Sequence, residues 1–227
     1  MRRTLVVLIA GAAILVAVAV GAVLWATSSD SSPTLKSLSS LGPLDPAPDP
    51  GRPSGELVPI PDAPPLAKAG SVPRPGKSLD GIECEHNPRL VEHHHVHLTL
   101  FVEGEARQVP AGVGIWPPLG PQNYRNGQFG QVGNCLSWLN TRYADGLIHV
   151  EAAVERSFVL GEFFDVWGQP LGPSEVGPAR GEVTATVNGK VWTGDPREIP
   201  LERHAQIQLQ VGRPLVEPQV IRFPGAF

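Results

Sequence analysis

Residues Thr4 to Trp25 carry no charge and are almost all apolar, and this run decides what the rest of the chain can become. A helix over it, at about 1.5 Å per residue, is roughly 33 Å long, which matches a hydrocarbon core of about 30 Å. Arg2 and Arg3 precede the run and Asp30 is the first charge after it, so the positive-inside bias predicts a cytoplasmic N-terminus and export of the residues beyond the run. The expected topology is a single-pass transmembrane signal anchor over residues 1–26 in the cell membrane, with the lipid bilayer as its partner and the C-terminal domain outside. A cleaved signal peptide is the alternative: the first residues are basic and Ala26 precedes small residues, but the apolar stretch exceeds the usual length of about 7 to 15 residues. No cysteine stands in lipobox position after the run.

Residues 27–80 are dominated by Pro, Ser, Gly and Asp, as in Leu44-Asp45-Pro46-Ala47-Pro48-Asp49-Pro50. Such a segment has too little apolar patterning to build a core, so a disordered, extended linker is expected. Its reach lies between roughly 40 Å as a coil and roughly 160 Å as extended polyproline. The remaining residues, 81–227, suffice for one compact domain with its own core. A formal net charge of −4 and the lack of a basic stripe in the exported part argue against nucleic acid and anionic lipid as partners.

Within the domain, Leu98 to Val102 and Ala106 to Val109 flank Glu103-Gly104-Glu105 and read as a hairpin. Pro110 to Gly133 is rich in Gly, Pro, Asn and Gln and predicts a long surface loop able to roof a neighbouring face. Leu147 to Glu151 alternates as a strand after the Asp145-Gly146 turn. Phe158 to Trp167 predicts one short helix, stopped by Gly168 and Pro170. Val183 to Val187 and Lys190 to Thr193 flank Asn188-Gly189, a type I′ hairpin signal. Ile207, Leu209 and Val211 alternate with three glutamines in a half-exposed strand. The order predicts an α+β domain with a mostly antiparallel sheet and one covering helix. A β-grasp-like arrangement is the preferred topology and a β-sandwich the alternative.

The segment His93-His94-His95-Val96-His97-Leu98-Thr99-Leu100 carries the chemistry. As a strand it sends His93, His95 and His97 to one face and Val96, Leu98 and Leu100 to the other. Imidazole is the commonest side-chain ligand of zinc, copper and iron, and residues two apart on one strand face can reach a shared ion. On the strand at 147–151, His149 and Glu151 share a face. The candidate metal ligands are therefore His93, His95, His97, His149 and Glu151, with copper or zinc as the cofactor. The competing reading is a polar, solvated strand face. His94 points with the apolar set or precedes the strand proper and is excluded, and His86 and His204 read as surface residues.

Cys84 and Cys135 both lie in the exported part, where oxidation is favoured. A disulfide closing a loop of about 50 residues would contribute roughly 4 kcal/mol on the chain-entropy model. Thiolate ligation of a metal by the same two residues is the alternative.

The run Gly81-Ile82-Glu83-Cys84-Glu85-His86, the H-x-H-x-H-L strand, Cys135 to Thr141, the Asp145-Gly146-Leu147-Ile148-His149-Val150-Glu151 block and Leu160 to Pro170 together resemble a family of exported, often membrane-anchored bacterial domains without an assigned function. The likeness extends over most of 81–212. It implies a bacterial origin and an extracytoplasmic site, but no activity. By the resemblance, relatives often carry histidine in the stretch that here reads Asn140-Thr141-Arg142; where those histidines complete a metal site, part of it is replaced in this chain.

No phosphate loop, nucleophile elbow or H-E-x-x-H pair occurs. Three classes of function remain: a tethered metal-binding domain, a non-catalytic module that binds an envelope protein or a cell-wall polymer, and a metal-dependent oxygenase or hydrolase using Glu151. Enzyme status is left open by the residues.

Overall fold

The computed structural model describes residues 32–87, 89–117, 122–124, 127–129, 133–223 and 225. The expected anchor over residues 1–26 lies outside them. Among the described residues no helix is long and apolar enough to cross a membrane.

The elements that position the site are β1 (Leu35–Lys36), β2 (Arg52–Pro53), β3 (Pro59–Ile60), β4 (Glu92–Val102), β5 (Glu105–Arg107), β6 (Leu139–Asn140), β7 (Leu147–Ala152), α1 (Leu160–Trp167), β8 (Val183–Val187), β9 (Lys190–Trp192) and β10 (Gln206–Val211). Eight of these strands form one sheet in the order β1-β9-β8-β10-β4-β7-β6, with β5 also on β4. Every pairing is antiparallel except that of β10 with β4. Among the described residues the domain is thus the expected mostly antiparallel sheet with one α-helix.

Side-chain alternation divides the sheet into two unlike faces. On one, Val96, Leu98, Leu100, Ile148, Val150, Ile207 and Leu209 join Leu160, Phe163, Phe164, Val166 and Trp167 of α1 in a single buried cluster. Each such large apolar side chain contributes about 1.5–3 kcal/mol by leaving water. Helix α1 starts where the Glu162 carboxylate accepts the Val159 N–H at 2.9 Å, and stops at Gly168, whose φ of 74° is the left-handed cap that glycine adopts at little cost. Asn188 and Gly189 turn the β8–β9 hairpin with φ values of 49° and 73°, the positive pair a type I′ turn requires.

Over β4, β7 and β10 the opposite face is polar and, apart from its His93 and Gln206 ends, buried as well, which the glutamine pattern of β10 did not foretell. Its cover is the C-terminal tail. The Gln210, Gln208 and Gln206 side-chain oxygens accept the backbone N–H groups of Val216, Gln219 and Ile221 at 2.7, 2.9 and 2.8 Å. The three glutamines act as a ladder for a segment that is not itself a strand.

The linker expectation needs correction over residues 32–80. They are extended, as their proline content predicts, but packed on the sheet: β1 pairs with β9, and Val58 and Leu66 are buried. Proline lacks an N–H but keeps its carbonyl. Pro48, Pro61 and Pro64 use theirs to accept bonds from Gln219 and Gln108, so the segment is held by a surface it could not build for itself. Residues 27–31 lie outside the described residues.

The loop expected over 110–133 also differs. Residues 110–115 are buried, and Val113 and Gly114 bond to 137–141 beside the edge strand β6. This stretch covers a sheet edge instead of roofing the histidines; residues 118–121, 125–126 and 130–132 are outside the described residues. Cys84 and Cys135 form a disulfide with Cα atoms 5.3 Å apart, joining two short strands that pair through Leu136 opposite Glu85.

A candidate metal centre on the polar face

The antiparallel register of β4 and β7 sets His149 directly opposite His95 and Glu151 directly opposite His93. Two adjacent rungs therefore carry three imidazoles and a carboxylate on one face. One ligand nitrogen from each of His93, His95 and His149 lies within 4.8 Å of the other two. Four-coordinate zinc with bonds of about 2.0–2.1 Å spaces its nitrogens about 3.4 Å apart, so the widest gap closes by a shift of about 1.4 Å. His95 Nε2 and His149 Nδ1 already share a hydrogen bond at 3.0 Å. His95 and His149 are buried, whereas the His93 side chain is 48% exposed and gives solvent a way in.

Electrostatics keep the two inner rings neutral. Burial, then the neighbouring His149, lowers His95 to about 3; burial, then Arg142, lowers His149 to about 3. A neutral imidazole offers a lone pair, the form that ligates a cation. Burial drives Glu56 up to about 7 against the pull of Arg142. Its carboxyl lies 3.3 Å from His149 Nε2, a contact that is a hydrogen bond and not an ion pair, since the ring is uncharged. With Nε2–H donating to Glu56, Nδ1 of His149 is the acceptor facing His95. For both nitrogens to hold a cation, His95 would carry its proton on Nδ1 and present Nε2 as a lone pair.

Glu151 lies beside the three rings, with Oε1 3.7 Å from His93 Nε2 and 4.0 Å from His149 Nδ1. Burial works to raise its pKa, but Arg142, then His149 and a hydrogen bond from Asn140, outweigh burial and hold the carboxyl below its ordinary range. Arg142 donates to Oε1 at 2.7 Å and Asn140 to Oε2 at 3.1 Å. As a ligand, Glu151 has to exchange the guanidinium for the metal.

His97 does not join the group. The residue opposite it is Leu147, which belongs to an apolar cluster with Val58 and Ile221. Its Nε2 donates to the Asp145 carbonyl at 2.8 Å, and burial lowers its pKa to about 4. Gly146 makes this approach possible: its φ is 78°, and a Cβ there would stand 2.2 Å from the Leu98 carbonyl oxygen and 3.3 Å from His97 Nε2. His94 faces away, bonded to Glu92 Oε1 at 2.7 Å and the Leu201 carbonyl at 2.8 Å. The disulfide removes Cys84 and Cys135 as thiolate ligands.

Sequence reasoning missed Glu56 and Arg142. Glu56 sits in a proline-rich stretch where only Ser54-Gly55 hinted at a turn, and Arg142 has no periodic partner. The chain matches no protein-family model, no curated protein and no solved structure in comparison.

Proposed function

We propose that this protein is a membrane-tethered extracytoplasmic domain that binds one transition-metal ion, copper or zinc, at His93, His95 and His149. The convergence of three imidazole nitrogens within 4.8 Å carries the reading. A set of nitrogens with an adjacent carboxylate and no thiolate suits Cu(II) or Zn(II) over Cu(I). The disulfide supports an oxidising compartment, and the uncharged run from Thr4 to Trp25 supports the tether.

Asn140 stands directly opposite His149. If relatives place histidine there, it joins the same rung, and Asn140 with Arg142 marks where this chain departs from them. We also read the fold as β-grasp-like, on the parallel pairing of the central strands β4 and β10 with α1 between β7 and β8.

Metal analysis of the purified full chain, reconstituted with Zn(II) or Cu(II) and then desalted, tests the proposal. One equivalent in the wild type and none in His95→Ala is the expected result. A wild type that retains no metal contradicts it.

A further inference from the structure

The loop between β2 and β3 is built to deliver one side chain. Ser54 donates its N–H to the Val58 carbonyl at 2.7 Å, Leu57 N–H reaches the Ser54 carbonyl at 3.1 Å, and the Ser54 hydroxyl accepts the Glu56 N–H at 3.0 Å. These bonds close a tight turn in which Leu57 takes a positive φ of 63° and points to solvent, 68% exposed. Glu56 points inward, its side chain only 12% exposed.

Three contacts press this turn onto the sheet. Gly55 lies where a Cβ would meet the Tyr143 hydroxyl at 2.1 Å, so a side chain there would push the Tyr143 ring from its seat on the turn. Val58 is fully buried with Leu147 and Ile221. Between them, the Glu56 carboxyl meets His149 Nε2 at 3.3 Å. His149 is thus gripped at both ring nitrogens: Nε2 by Glu56 and Nδ1 by His95.

We propose that Glu56 is the positioning carboxylate of the metal site and that the 52–60 hairpin is a clasp which metal binding tightens. This rests on the metal reading of His93, His95 and His149. A carboxylate on the far nitrogen of a ligating imidazole fixes its tautomer and raises its basicity, and removing such a partner typically costs about 10–100-fold in metal affinity. A cation on Nδ1 polarises the ring and strengthens the Nε2–H bond to Glu56. Linkage makes the effect mutual, so whatever favours the docked hairpin favours the bound metal by the same factor.

The experiment is hydrogen exchange of the full chain in detergent with and without Zn(II), for wild type, Glu56→Ala and Glu56→Gln, with zinc stoichiometry measured on the same samples. In the wild type, zinc slows exchange across residues 54–60 several-fold. Glu56→Ala still takes up one equivalent, about 10–100-fold more weakly, and its hairpin exchange no longer responds to zinc. Glu56→Gln keeps an acceptor oxygen and restores the response. A wild type that binds one equivalent with unchanged exchange at 54–60, or a Glu56→Ala protein that binds and responds like wild type, overturns the clasp while leaving the metal site standing. A wild type that takes up no zinc removes the metal site itself, and the clasp with it.

Discussion

His95 and His97 are two residues apart, on one strand and one face, yet their surroundings differ completely. His95 meets His149 across the rung, whereas His97 meets Leu147 and turns to the Asp145 carbonyl. The alternation of β4 was readable in the sequence, and so was the alternation of β7. Which residue of one strand stands opposite which of the other was not, because register is set by the Asp145-Gly146 turn and the packing around it. His97→Ala is therefore expected to keep full metal stoichiometry and to lose about 1–3 kcal/mol of stability through the unpaired carbonyl and the emptied space. His95→Ala or His149→Ala abolishes binding. Metal analysis beside denaturant unfolding separates the two classes, and loss of metal in His97→Ala would contradict the assignment.

Strands β4, β7 and β10, the two hairpins and helix α1 were legible because each is encoded locally, by period or by turn chemistry. The cover over the polar face was not. Composition says that residues 32–80 cannot form a core, but it does not say whether another surface will accept their carbonyls. In the same way Gln206, Gln208 and Gln210 read as the exposed face of a half-exposed strand, although their amides are spent on the backbone of 216–221. Gln210 both donates to the Val216 carbonyl and accepts its N–H. Gln210→Ala strands both groups and is expected to cost about 1–3 kcal/mol, with faster exchange confined to the tail; unchanged protection there would sink the ladder. Gly146→Ala forces a Cβ against the Leu98 carbonyl at positive φ and is expected to lower stability by at least about 1 kcal/mol.

The whole molecule buries groups whose titration opposes itself across the pH scale. His95, His149 and His97, lowered to about 3, 3 and 4 chiefly by burial, are neutral in the fold and charged in the unfolded chain below about 6.5. Their contribution to stability is complete above that pH and is lost as pH falls toward 4 and below. Asp145 and Glu56, both raised to about 7 chiefly by burial, work the other way: their contribution is complete below their ordinary carboxylate range and is lost as pH rises through about 7. The metal-free protein is accordingly expected to be most stable near pH 6.5, with Tm falling on both sides in a thermal scan. A Tm that stays flat from pH 5 to 8 would mean that these groups are not buried as described. Bound metal adds stability that depends on its free concentration, and acid removes it together with the metal, since protonated imidazoles cannot ligate.

X-ray absorption on the zinc-loaded chain tests the metal centre most directly. The arrangement predicts three imidazole nitrogens at about 2.0–2.1 Å, with the remaining coordination filled by oxygen, and a drop to two imidazoles in His93→Ala. A shell of oxygen alone, a sulfur neighbour, or an imidazole count that His93→Ala leaves unchanged would contradict it.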